Sequence, residues 1–261
     1  MVAGVHGQSR SGLAATKLIS TLMRTRSVLL PTLATGVCAL AVAAGAADQP
    51  LNTLTAAEKE AGWRLLFDGK TTQGWRGYGK TEFPKQGWVI EGGCLKKVAG
   101  VHGGDVVTEA EFEDYEFSWE WKLPPKANNG IKYLVLESRP HAPGPEYQMV
   151  DDTTEPGPKH VTASFYEVLP PGPNAKPKPM GEWNSSRIVV RGNHVEHWLN
   201  GEKVLAYELG SPEVKAGVAK SKFRNAPSFG EKCKGRLLLT DHNDEAWFRN
   251  LKLREFPAEK R

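Results

Sequence analysis

The chain has 261 residues, of which 39% are hydrophobic, 25% charged and 9% aromatic. That is enough apolar content for one substantial core, and it excludes a disordered or fibrous protein. Arg10, Lys17, Arg24 and Arg26 lie in an acid-free stretch before Asp48, so the formal charge of +4 belongs to that leader and the remaining bases match the 30 acids. No basic run exceeds Lys96-Lys97, and the electrostatic footprint that nucleic-acid binding requires is missing.

Residues 1–22 are rich in Ser, Gly and Thr, and Met23-Arg24-Thr25-Arg26 then opens a second, better beginning. A positive n-region, an apolar run from Val28 to Ala44 interrupted by Pro31, and the small residues Ala44-Gly45-Ala46 predict a signal peptide region over 1–47, with Met23 as the true start. The protein is therefore expected to be exported, to the periplasm or beyond. The alternative is an N-terminal membrane anchor. Cys38 lacks the residue order of a lipoprotein site. With the leader removed, Cys94 and Cys233 are the two remaining cysteines, and either a disulfide or two buried thiols fits an oxidising compartment.

From residue 48 onward, Thr55-Ala56-Ala57-Glu58 is a capping box for a short helix within 48–61. Strand-like runs follow at Trp63–Phe67, Trp88–Glu91, Tyr115–Leu123, Gly130–Leu136 and Glu146–Val150. More come at Arg187–Arg191, His194–Leu199, Lys203–Leu209, Arg236–Thr240 and Trp247–Leu253. The clearest is Tyr115–Leu123, where Tyr115, Phe117, Trp119, Trp121 and Leu123 alternate with Glu116, Ser118, Glu120 and Lys122, as in a half-buried antiparallel strand. Asn200-Gly201 predicts a type I′ hairpin, Arg191-Gly192-Asn193 a second hairpin, and Ser211-Pro212-Glu213 the start of another short helix. The breaker-rich stretches Ser138–Pro145, Thr153–Pro158 and Pro170–Pro179 read as long loops within one domain. About a dozen short strands and one or two short helices predict an all-β fold, a two-sheet antiparallel β-sandwich of jelly-roll type over 62–255 with a tail at 256–261. A closed barrel is the alternative. No 20–50-residue repeat supports a solenoid or propeller.

Six ordered motifs carry a resemblance: Leu66-Phe67-Asp68-Gly69-Lys70 with Gly74-Trp75; Gly103-Gly104-Asp105; Gly144-Pro145-Glu146-Tyr147-Gln148; Gly181-Glu182-Trp183-Asn184; Gly192-Asn193-His194 through Asn200-Gly201; and Asp241-His242 leading to Trp247-Phe248-Arg249-Asn250. Over residues 62–255 the chain resembles the 3-keto-disaccharide hydrolase family. The resemblance implies a concanavalin-like jelly roll, the fold shared by lectins and laminarinase-like endoglucanases, and action on glycosides oxidised at C3. Fold alone does not assign function.

Such a substrate has its own chemistry. A ketone at C3 acidifies the C2 hydrogen and stands β to the glycosidic oxygen, so a base at C2 can expel the aglycone by elimination, and water then adds back. The site needs a base, a group that stabilises the enolate oxygen, and an acid for the leaving group. It does not need the flanking carboxylate pair of ordinary glycosidases.

Candidates for these roles follow from strand parity. Glu146 and Gln148 share one face of their strand, against Tyr147 and Met149 on the other. Glu146 is the expected general base, with Asp151 as a second carboxylate. Asp241-His242 and Trp247-Arg249 are expected to meet as a hairpin through Asn243-Asp244-Glu245. His242 would then act as acid or base, Trp247 would stack on sugar, and Arg249 would hold a hydroxyl or the enolate oxygen. Asp241, Glu182 and Asn184 are expected substrate contacts at the rim of the same groove. A divalent cation held by Glu146, Asp151, Asp241 and His242 is possible chemistry that the sequence leaves open. His194 and His197 sit on opposite faces of one strand and do not form a ligand pair, and there is no zinc-type Cys or His spacing. His102 and His160 are weaker ligand or acid candidates. The partner is expected to be carbohydrate, with a noncatalytic lectin-like module as the alternative to an enzyme.

Overall fold

A computed structural model describes residues 50–139, 143–154 and 156–257. The leader, Met23, Cys38 and the end of the tail lie outside these residues. The strands are β1 Arg64–Leu65, β2 Trp75–Gly77, β3 Trp88–Glu91, β4 Cys94–Lys97, β5 Val106–Thr108, β6 Tyr115–Lys122 and β7 Asn128–Val135. They continue as β8 Glu146–Val150, β9 Asn184–Arg191, β10 His194–Leu199, β11 Glu202–Glu208, β12 Arg236–Leu239 and β13 Ala246–Glu255. All pair antiparallel in two sheets. An eight-stranded sheet runs β11-β10-β9-β6-β13-β4-β3 with β1 added on β13, and a five-stranded sheet runs β2-β5-β12-β7-β8. The result is the predicted two-sheet sandwich.

Alternation builds the core. Tyr115, Phe117, Trp119 and Trp121 of β6 are fully buried between the sheets, with Ile131, Tyr133, Tyr147 and Met149 coming from the five-stranded side. Each large apolar side chain removed from water contributes about 2–3 kcal/mol. Trp121 Nε1 donates to Ser186 Oγ at 2.8 Å, and Tyr147 OH lies 2.9 Å from the same oxygen, so a hydroxyl from β9 satisfies two buried rings. Local signals hold as predicted. Thr55 closes both bonds of its capping box on helix α1 Ala56–Glu60, Ser211 caps α2 Pro212–Ala219 with Pro212 in its first turn, and Asn200 and Gly201 take φ of 50° and 90° between β10 and β11.

One expectation fails with consequences for function. Asp241-His242 and Trp247 do not form a hairpin, because β12 belongs to the five-stranded sheet and β13 to the eight-stranded one. The segment 241–245 crosses between layers, tied there by the Asp241 carboxylate. That group accepts from Gly103 N and Gly104 N at 2.8 Å each and pairs with Lys97 Nζ of β4 at 2.8 Å. The strands β2 and β5, three residues each, and β4 were not predicted.

Cys94 and Cys233 are both free, Cys94 buried and Cys233 half-buried beside the Leu134 carbonyl. Among the described residues no helix is long and apolar enough to cross a membrane.

Candidate active site

In β8, Tyr147 and Met149 enter the core, so Glu146 and Gln148 face outward from the five-stranded sheet. The register of β7 with β8 pairs Lys132 with Glu146 and Gly130 with Gln148, which puts Asn128, Gly130 and Lys132 on the same face. On the other side of β8, the segment 163–166 acts as a further, irregular strand. Ala163 N donates to Gln148 O at 2.8 Å, Tyr166 N donates to Glu146 O at 3.0 Å, and Phe165 bridges Tyr147. Phe165 is buried in the core, so Tyr166 points outward beside Glu146. Thr240 and His242 at the end of β12 and Asp105 just before β5 complete a cavity of about 300 Å³, with Lys222 at its edge.

Glu146 is its central group. It is 9% exposed and, among the described residues, its carboxylate has no hydrogen-bond or ion-pair partner within the protein. Its carboxylate lies across Gly130, where a Cβ would stand 2.1 Å from Oε1. Burial pushes the Glu146 carboxyl above its ordinary range, against the opposing pull of Lys132, Lys222 and His242. A buried, unpaired carboxylate in a polar cavity is the arrangement expected of a general base. Around it the groups are fixed. Gln148 Nε2 donates to Asn128 Oδ1 at 3.1 Å, Lys132 Nζ is 3.9 Å from Asp105 Oδ2, and Asp105 Oδ1 accepts from Asp241 N at 2.7 Å. The non-glycine residues Ala163, Glu167 and Asn243, at φ of 66°, 69° and 64°, lie in the segments that frame this cavity. Strained backbone of this kind clusters at functional sites.

The other sequence candidates are dispersed. Asp151 is not at the cavity but caps a loop, accepting from Lys126 N at 2.7 Å, Thr153 N at 3.0 Å and Thr153 Oγ1 at 2.7 Å, and these bonds hold its carboxyl below the usual range. Asp241 reaches the cavity wall, but its side chain is 3% exposed and engaged with Lys97, itself fully buried. Burial alone would raise the Asp241 carboxyl; Lys97 and the two glycine N–H groups bring it below its ordinary range. His242 is exposed and lines the cavity, without the Trp247 and Arg249 expected beside it. Asn184 is buried in the eight-stranded sheet, where its Oδ1 accepts from Lys178 N at 2.8 Å and Asn200 Nδ2 at 2.9 Å, and Glu182 is exposed just before it.

Trp247 and Arg249 are on the opposite surface of the slab. Phe248 between them enters the core, so both face outward from the eight-stranded sheet. There the Trp247 ring lies 4.1 Å from Lys96 Nζ, and Arg249 stacks 3.9 Å from the Trp183 ring while pairing with Glu120 at 2.7 Å. The same face carries Trp198 under Arg187, at 3.9 Å. The expected meeting of indole and guanidinium with Glu146 does not occur: a strand's parity fixes which face a side chain takes, not which sheet the strand joins. Of the four groups considered for a divalent cation, Glu146, Asp241 and His242 line the same cavity while Asp151 caps a loop away from it, and among the described residues no group of three or more His, Cys, Asp or Glu side chains is placed to hold a metal ion.

His194 and His197 take opposite faces. His194 lies outside between Glu208 and Glu196. His197 is fully buried, donating from Nδ1 to Ala163 O at 2.9 Å and receiving the Tyr133 hydroxyl at Nε2 at 2.8 Å, with burial lowering its pKa to about 4. His160 lies beside the Tyr166 ring, 5.0 Å between centroids, and His102 is exposed near Asp241.

Lys132, Tyr166, Lys222, Asn128 and Thr240 were not singled out from sequence. For Lys132 a signal exists, since it alternates outward between Ile131 and Tyr133 in register with Glu146. For Tyr166 there is none, because its segment joins β8 only in three dimensions.

A family model described as a 3-keto-alpha-glucoside-1,2-lyase-like domain matches residues 62–254. A 3-keto-disaccharide hydrolase of Bacteroides thetaiotaomicron is 33% identical over 228 residues, covering 74% of this chain and 78% of that protein. A crystal structure from Parabacteroides distasonis, of a protein provisionally called a glycosyl hydrolase, superposes with a TM-score of 0.72 at 32% identity. It covers 79% of this chain and 100% of that one. A second Parabacteroides distasonis structure, at 23% identity and a TM-score of 0.62, covers 74% of this chain and 99% of its own and shares the fold.

Proposed function

The chain belongs to the 3-keto-alpha-glucoside-1,2-lyase-like family and is a glycoside-cleaving enzyme; on that premise we propose that it is exported and cleaves glycosides already oxidised at C3, by elimination followed by addition of water. The observation that supports this most is the unpaired Glu146 carboxylate, buried beside the Lys132 ammonium in an otherwise polar cavity.

In the proposed reaction Glu146 removes the C2 proton and the electron pair moves onto the C3 oxygen as an enolate. Lys132 stabilises that charge from the neighbouring strand, the role that Arg249 cannot fill from the other surface. The enolate collapses, a double bond forms between C1 and C2, and the C1–O bond breaks with its electron pair leaving on the aglycone oxygen. Addition of water, hydroxyl to C1 and proton to C2, gives the 3-keto sugar. Elimination then hydration accounts for both the lyase in the family description and the hydrolase in the name of the Bacteroides relative. Gln148, Asn128 and Thr240 would hold sugar hydroxyls. A noncatalytic lectin-like role would call for a platform of aromatic rings in the groove; among the described residues Tyr166 is the one aromatic lining the cavity, and the indoles Trp247, Trp183 and Trp198 lie on the other surface.

The test is to incubate the protein with a 3-keto-glucoside and, in parallel, with the unoxidised glucoside. Release of aglycone from the oxidised sugar alone, with deuterium from solvent entering C2, is the expected result. Binding without turnover would favour the lectin-like alternative.

A further inference from the structure

The reaction needs a proton for the departing oxygen, and His242, the sequence candidate, has no hydrogen-bond partner that orients its ring among the described residues. We infer that the Tyr166 phenol is the acid that protonates the leaving group. This rests on the elimination reading given above.

Three observations carry it. First, Tyr166 is the cross-strand neighbour of the base: its N–H donates to the Glu146 carbonyl at 3.0 Å and both side chains leave the same face. Cross-strand Cβ atoms stand about 5 Å apart, a spacing suited to groups acting on adjacent carbons of one sugar ring. Second, the ring is fixed. Lys222 Nζ sits 4.4 Å from its centroid and the His160 ring 5.0 Å away, and His160 is itself held at both nitrogens, Nδ1 donating to Pro156 O at 2.8 Å and Nε2 lying 3.2 Å from Glu167 Oε1. Third, the hydroxyl itself is left free: among the described residues it has no hydrogen-bond partner, although its residue lines the cavity.

The step balances. As the C1–O bond breaks, its electron pair stays on the aglycone oxygen, the phenol proton passes to that oxygen, and the negative charge of the enolate ends on the phenolate. The Lys222 ammonium stabilises the phenolate as it forms. The phenol recovers its proton through solvent from Glu146, which had taken one from C2, so no co-reactant is consumed.

An acid catalyst matters most where the leaving group is poor. The experiment compares the wild-type chain, Tyr166→Phe and His242→Gln on 3-keto-glucosides with an alkyl and with a nitrophenyl aglycone, measuring aglycone release and deuterium exchange at C2. Phe keeps the ring that Lys222 and His160 flank, so the fold is preserved. For Tyr166→Phe the expected result is a loss in kcat of about 10²-fold or more with the alkyl aglycone, and a loss at least about tenfold smaller with nitrophenyl. The ratio of exchange to release should also rise, which a misfolded chain cannot produce. Equal losses with both aglycones, or the leaving-group-dependent loss appearing in His242→Gln instead, overturns the assignment. No turnover of either ketone by the wild-type chain would sink the elimination reading itself, before any variant is compared.

Discussion

The carboxylate of Glu146 occupies the space that a side chain at Gly130 would take, 2.1 Å from where its Cβ would be. Gly130 is not in the left-handed region, so alanine is tolerated by the backbone and the conflict falls on the Glu146 side chain alone. Gly130→Ala is therefore expected to fold and melt close to the wild type while losing about 10²-fold in turnover, because a base displaced by about 1 Å loses its alignment. Parallel thermal melts and initial rates check this.

Glu146→Gln should lower turnover by about 10²–10⁴-fold, the usual contribution of a general base. The pH dependence has a defined sign. The folded carboxyl binds its proton more tightly than the unfolded one, so the native state loses stability as pH rises from the ordinary carboxylate value through the raised one. Glutamine removes that loss. The variant is expected to match the wild type in acid and to melt at an equal or higher temperature near neutrality, while wild-type activity rises over the same pH window as the base ionises. A variant less stable at neutral pH would show that Glu146 supports the fold.

The Lys97–Asp241 pair has the opposite sign. Its members are 0% and 3% exposed, and removing one partner leaves the other charge buried, at a cost of about 3–5 kcal/mol. Asp241→Asn and Lys97→Met should both fall in urea midpoint by the corresponding amount. Because the Asp241 carboxyl is held below its ordinary range, its contribution is present above the unfolded value and is lost as pH falls through the folded one. Denaturation curves across acidic pH read this directly.

Arg249→Gln and Trp247→Ala should keep turnover within about a factor of two, since both side chains are on the surface away from the cavity. Each should lose stability by about 0.5–1 kcal/mol as its cation–π contact is removed. Loss of activity without loss of stability would return these residues to the site.

What was legible in the sequence depended on local rules. The alternation of Tyr115–Lys122, the capping box at Thr55 and the Asn200-Gly201 turn are each determined within a few residues, and the structure keeps them. The shared face of Glu146 and Gln148 was legible for the same reason. The hairpin expected between Asp241 and Trp247 was not a local question: a polar turn between two alternating runs looks the same whether the chain reverses within one sheet or passes to the other. The deciding contact, from Asp241 to Lys97, spans well over a hundred residues. Short strands such as Val106–Thr108 lack enough alternation to register, with Val106 in the main core and Val107 in a small cluster on the other face. Tyr166 was invisible because its neighbour across the backbone, Glu146, is twenty positions away, with the breaker-rich stretch Thr153–Pro158 between.

The ladder of indoles and cations over the eight-stranded sheet leaves the cavity side of the slab unencumbered. Immobilising the protein on a resin, or fusing a carrier along β9 and β10, would leave the cavity mouth open, whereas a linker attached at Lys222 would obstruct entry.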